Sequence, residues 1–188
     1  ARGEIKGEII VVPVANPVGA GQVINTTFAG RYDCRSGINF NRRWPDLSQG
    51  LAAKVKDLSV LLDELGFTPP PPPRRPLRVA YHDACHLAHA QGVREAPRRL
   101  LQAAGLEVLE PREWELCCGS AGTYNLFQPE IAEALGKRKA ENLKATGADL
   151  VATGNIGCLT QIQAYLDLPV LHTAELLALL YEGKDPLA

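Results

Sequence analysis

From residue 77 onward, short apolar runs alternate with longer segments whose apolar residues recur at helical spacing. Leu77-Arg78-Val79-Ala80-Tyr81-His82 reads as a short buried strand. Residues 97–104 read as a helix ended by Gly105, and residues 106–109 as a second strand. Gln128-Pro129-Glu130 opens a long helix, with Pro in the first turn and an acidic side chain at the positive end of the dipole. Its apolar face is expected at Ile131, Leu135 and Leu143 with Ala132, Ala134 and Ala140, and Gly147 stops it. Residues 149–153 form a third strand, 156–166 a helix, 169–172 a fourth strand and 174–181 a last helix. Strands alternating with helices imply an α/β fold: a Rossmann-like parallel sheet of about four strands with flanking helices.

The first part of the chain follows another pattern. Residues 8–14 read as a strand, and residues 25–44 as polar and loop-rich. Residues 51–65 suit an amphipathic helix whose apolar face carries Leu51, Val55, Leu58, Leu61, Leu62 and Leu65. Five consecutive prolines, Pro69 to Pro73, then favour an extended, semi-rigid spacer. The divisions expected are therefore residues 1–50, a helix and proline-rich linker over 51–76, and an α/β domain over 77–188.

Composition narrows the function classes. The formal net charge is −1, so no global field attracts nucleic acid or an anionic membrane. No apolar run reaches the ~18 residues needed to span a bilayer. The chain has no methionine and begins at Ala1, as an excerpt of a longer polypeptide would. Five cysteines without a secretion signal suit metal ligation or redox chemistry in the cytoplasm better than a disulfide framework. The plainer alternative makes them small buried hydrophobes.

Cys85 follows the first strand of the regular part, Cys117-Cys118 the second and Cys158 the third. In an open parallel sheet these turns share one edge, so residues far apart in sequence meet there. Four thiolates match the ligand count of an iron–sulfur cluster. They would also satisfy tetrahedral zinc, although adjacent cysteines suit a cluster better than two corners of one tetrahedron. His82, His86 and His89 surround Cys85, with His86 the best candidate for a nitrogen ligand and hydrogen bonding around the centre the competing role. Asp83 is expected to orient a turn, and His172 to be a satisfied edge histidine.

Tyr81-His82-Asp83-Ala84-Cys85-His86-Leu87, Leu116-Cys117-Cys118-Gly119-Ser120-Ala121-Gly122 and Gly154-Asn155-Ile156-Gly157-Cys158-Leu159 together resemble the cysteine-rich CCG domain. That domain occurs in the iron–sulfur subunit of glycolate oxidase and in a subunit (B) of heterodisulfide reductase. The resemblance runs from residue 51 or 56 to about 186. It implies an electron-transfer module holding a 4Fe–4S cluster, in the related reductase a non-cubane one, on Cys85, Cys117, Cys118 and Cys158. It also implies a flavin-containing oxidase subunit as partner, with peripheral association with a membrane complex. The family motif has a fifth cysteine where this sequence has Asn155, for which capping the following helix is the expected role.

The first fifty residues resemble a different family. Gly7-Glu8-Ile9-Ile10-Val11-Val12-Pro13-Val14-Ala15-Asn16-Pro17, and Gly30-Arg31-Tyr32-Asp33-Cys34 with Asn39-Phe40-Asn41-Arg42-Arg43-Trp44, are similar to the zinc-dependent succinylglutamate desuccinylase/aspartoacylase family. That resemblance implies carboxylate binding by Arg31, Asn41 and Arg42. The family's zinc ligands lie outside the segment, so no deacylase activity is expected from this chain alone.

Overall fold

The computed structural model describes residues 56–188 and, before them, the backbone of four two-residue strands. Val23–Ile24 (β1) pairs antiparallel with Thr27–Phe28 (β2), and Tyr32–Asp33 (β3) with Ile38–Asn39 (β4). The strand expected over residues 8–14, and Arg31, Asn41 and Arg42, lie outside the described residues. Two compact units divide the chain, Ala1–Ala52 and Ala53–Ala188. The helix ahead of the prolines and the proline run itself belong to the second unit.

That unit is built on a four-stranded, wholly parallel sheet of Arg78–His82 (β5), Glu107–Leu109 (β6), Leu150–Thr153 (β7) and Val170–His172 (β8). The order in space is β6-β5-β7-β8. The chain thus steps outward to β6 and returns across β5 to reach β7. The strand order reverses between β5 and β7, and in open parallel sheets a ligand crevice lies beyond the carboxyl ends at that point.

Alternating side chains on the strands divide the core into two layers. Val79 and Tyr81 of β5 and Leu150 and Ala152 of β7 pack with Leu100 and Leu101 of Glu95–Ala103 (α2) and Leu176 and Leu177 of Thr173–Tyr181 (α6). Ala80 and Val151 face the other way, onto Ala140 and Leu143 of Pro129–Lys144 (α4) and Ile162 of Ile156–Gln163 (α5). His82 and Thr153 continue this second face.

Helix limits follow local chemistry. Pro129 stands in the first turn of α4 beside Glu130, with Lys144 in the last turn. His172 caps α6: its Nδ1 accepts from the Ala174 N–H at 3.2 Å, and Glu175 accepts in return from the His172 N–H. The buried face of α4 is rotated from the expected one. Ala132, Gly136, Lys139, Ala140 and Leu143 are buried, whereas Ile131 is half exposed. Gly136 explains the rotation, because a Cβ there would lie 2.5 Å from the Tyr165 ring, so the backbone itself makes the contact with α5's end.

The segment ahead of the sheet packs onto it. Leu58–Glu64 (α1) lies against α2, with Leu62 on the core and Asp63 paired to Arg99. Phe67 meets Tyr181 edge to face at 6.2 Å, and the Tyr181 hydroxyl donates to the Thr68 carbonyl. The proline run continues past Gly105, whose missing side chain leaves room for Pro72.

One polar network ties the carboxyl ends of β5 and β6 to α2. Arg98 is buried and forms a two-pronged pair with Asp83, at 2.9 and 2.6 Å, and a second with Glu110, at 2.5 and 2.9 Å. Burial pulls the Arg98 pKa down, but the hydrogen bonds from both carboxylates outweigh it and raise it. Asp83 therefore fixes the turn that leads into Cys85. Arg98→Ala strands a buried carboxylate and is expected to cost about 3–5 kcal/mol in urea unfolding. Arg99→Ala, at the exposed pair with Asp63, should leave the urea midpoint nearly unchanged.

Candidate metal centre at the carboxyl edge of the sheet

Three turns leave the carboxyl edge toward the second face, and each carries cysteine. After β5, Cys85 opens one turn of π-helix, His86–Ala90, closed by the Gln91 N–H on the His86 carbonyl at 3.2 Å. After β6 the chain runs through Glu113 and Trp114 to Cys117 and Cys118. After β7, Cys158 lies in the first turn of α5. All four thiols are free, with Cys118 and Cys158 buried and Cys85 and Cys117 half-buried.

The sulfurs form a chain of neighbours: Cys85 beside Cys117, Cys117 beside Cys118, Cys118 beside Cys158. Their proximity shifts each thiol's pKa. The Cys85 and Cys118 thiols are pushed up because each donates to the Cys117 sulfur, Cys118 also to Cys158. Cys117 is pulled far down by the Cys118 and Cys85 thiols and by the Gly119 N–H, 3.4 Å from its sulfur. Cys158 falls to about 5, through the Cys118 thiol and then the adjacent His82, against the opposing effect of burial. Thiols that shift one another's pKa in this way form a donor set suited to a cation.

His82 completes the set. It is fully buried, and neither ring nitrogen has a hydrogen-bond partner. A ring nitrogen and the sulfurs of Cys118 and Cys158 all lie within 4.8 Å of one another, the one such group of three among the described residues. The structure thus brings the four expected cysteines together, adds His82, and leaves His86 outside that trio. His89 is exposed and stacks on Trp114, with ring centroids 5.8 Å apart.

Close approach of the turns depends on two glycines. Gly119 has φ +89°, and a Cβ there would collide with the Ala132 carbonyl oxygen. A Cβ on Gly157 would fall 3.0 Å from Ser120 Oγ and 3.2 Å from Asn155 Oδ1. Asn155 caps α5, accepting the Cys158 N–H at 3.0 Å. Its carboxamide oxygen is therefore occupied by the helix.

The turn ahead of Cys117 is clamped by α4. Glu113 adopts a left-handed φ of +50°. Arg138 and Asn142 bind its carboxylate, and the buried Lys139 donates to the carbonyls of Glu113 and Trp114 at 2.7 and 3.2 Å. Burial lowers the Lys139 pKa. Sequence reading missed Lys139. Its one available signal was a lysine four residues before Leu143, on the side of α4 that carries Ala132 and Ala140.

Two variants test this geometry. Gly119→Ala forces a left-handed alanine into backbone contact and is expected to lose at least about 2 kcal/mol, with faster reaction of the cysteines toward Ellman's reagent. Asn155→Ala should lose about 1 kcal/mol in thermal or urea unfolding, while Asn155→Asp retains most of it.

Comparison with known proteins agrees with the geometry. Residues 79–163 match the family model described as "Cysteine-rich domain", CCG. One component of the fumarate reductase (CoM/CoB) of Methanothermobacter marburgensis is 36% identical over 156 residues, 78% of this chain and 29% of that protein. Lactate utilization protein A of Oceanobacillus iheyensis is 36% identical over 112 residues, 56% of this chain and 46% of its own length. In Bacillus subtilis, the probable glycolate oxidase iron-sulfur subunit is 34% identical over 143 residues, 71% of this chain and 32% of that protein. The chain spans less than half the length of each of these relatives. The family match includes Cys85, Cys117, Cys118 and Cys158, and no part of it falls on the first fifty residues. Residues 79–163, with all four clustered cysteines, are a CCG cysteine-rich domain.

Proposed function

We propose that Cys85, Cys117, Cys118 and Cys158 hold an iron–sulfur cluster of the 4Fe–4S class, and that the domain passes electrons within a flavin-linked oxidase of a 2-hydroxy acid such as glycolate or lactate. The observation that carries this reading is the convergence of four free cysteines from three turns, with Cys118 and Cys158 within 4.8 Å of a buried imidazole nitrogen. Four thiolates are the usual ligand set of such clusters, which supply one-electron transfer when bound. The residues fit the group. Gly119 and Gly157 let backbone approach the sulfurs, the Gly119 N–H already points at Cys117, and Lys139 places a positive charge nearby.

Two relatives are named for lactate utilization and for a glycolate oxidase iron-sulfur subunit, which supports the substrate class and a partner subunit. No helix among the described residues is long and apolar enough to cross a membrane. Exposed Leu126, Phe127 and Ile156 stand on the segments that flank the cysteine turns. They give a partner's redox centre an apolar place to dock, the flavin-containing subunit in this reading. A cluster held on free thiols supports a cytoplasmic location, or one on a membrane complex facing the cytoplasm.

Protein purified and reconstituted without oxygen should be brown and contain iron together with acid-labile sulfide. Cys118→Ser and Cys158→Ser should each lose most of both. Zinc without sulfide in the wild-type protein would replace the cluster by a structural metal and end the electron-transfer reading.

A further inference from the structure

We propose that His82 is a direct ligand of the centre on Cys85, Cys117, Cys118 and Cys158, contributing one ring nitrogen beside the four sulfurs. This rests on the cluster reading and extends it to a fifth donor.

The argument begins with an unmet demand. A neutral imidazole carries one N–H donor and one acceptor nitrogen. Burying either without a partner costs about 1–3 kcal/mol. In His82 neither nitrogen meets a partner in hydrogen-bonding geometry, its interaction with Cys158 being one of proximity, and the residue is fully buried. Such a group is retained where something outside the chain satisfies it. His82 sits on β5, whose alternation turns Ala80 and therefore His82 toward the face that carries Cys118 and Cys158. One of its nitrogens lies within 4.8 Å of both sulfurs, close enough that small side-chain shifts would bring all three onto one ion.

The second nitrogen has its orienting group at hand. Thr153 is the register partner of His82 across β5 and β7, on the same face, and its buried hydroxyl also lacks a partner. A ligating histidine holds its other N–H on an oxygen acceptor, which fixes the ring and raises its basicity. Strand pairing places Thr153 beside His82 on that face; no hydrogen bond joins them here, so the contact would form as the ring turns onto the centre. Asn155, the other polar side chain beside Cys158, is committed to capping α5.

The test uses the full chain reconstituted anaerobically with iron and sulfide, with histidine labelled by nitrogen-15, in the paramagnetic state of the cluster. Pulsed electron paramagnetic resonance should show one strongly coupled nitrogen that changes frequency on labelling. The coupling should persist in His86→Asn and vanish in His82→Gln and His82→Cys. Iron retention under chelator challenge should fall about tenfold in His82→Gln and recover in His82→Cys. The labelled wild-type protein decides the matter even if a His82 variant fails to fold. A cluster with full iron and sulfide but no coupled histidine nitrogen overturns His82 ligation and leaves the four-sulfur cluster standing. Coupling that persists in His82→Gln or disappears in His86→Asn overturns it equally. A wild-type protein that retains neither iron nor sulfide overturns both readings.

Discussion

Like-charge repulsion is the constraint around which this domain is built. Four sulfurs from three turns gather at one sheet edge, two of them buried, where full ionisation of all four would be prohibitive. The neighbouring Cys85 and Cys118 thiols pull Cys117 and Cys158 down while they themselves are pushed up. In the proposed centre a multivalent cation would relieve the same repulsion more strongly. The fold must therefore hold the thiols close enough to interact before any such cation arrives. The parallel pairing of β5 with β7 does this for Cys85 and Cys158, placing their turns side by side at the point where the strand order reverses.

The Cys117-Cys118 turn has no such support from the sheet, because β6 ends eight residues before Cys117. Helix α4 supplies it instead. Lys139, Arg138 and Asn142 grip Glu113, and the Ala132 carbonyl lies against Gly119, so one helix fixes the turn at both ends. Lys139 has a second effect. Its ammonium is out of water and near the thiols, so its charge is weakly screened and favours an anionic centre. The lysine whose hydrogen bonds shape the turn is therefore also a local counter-charge.

Much of the scaffold was legible in the sequence because it depends on local pattern. The four strands, the helices after β5, β6 and β7 and the cap at Asn155 follow from alternation, turn residues and capping chemistry. The convergence of Cys85, Cys117, Cys118 and Cys158 followed from the rule that strand-to-helix turns share one sheet edge. What escaped was whatever needed three-dimensional register. His82, His86 and His89 read as surrounding Cys85 with His86 preferred, whereas the alternation of the strand that His82 ends turns His82 toward the sulfurs. The buried face of α4 was read from its largest apolar residues. Packing was decided instead by Gly136, the residue with least bulk, which turned Ile131 outward and Lys139 inward.

The donors thus differ in how they are held. The cysteines sit on turns or a helix's first turn, with Gly119, Ala121 and Gly122 in left-handed conformations around the Cys117-Cys118 pair. Such a turn adjusts by small rotations when the charge between the sulfurs changes. His82 is the last residue of the central strand β5, paired with Thr153 of β7, and its backbone moves only with those strands. A centre that gains and loses electrons needs little reorganisation yet some compliance as its charge changes. A fixed imidazole at the floor with adaptable sulfurs above it divides those demands between the two kinds of secondary structure.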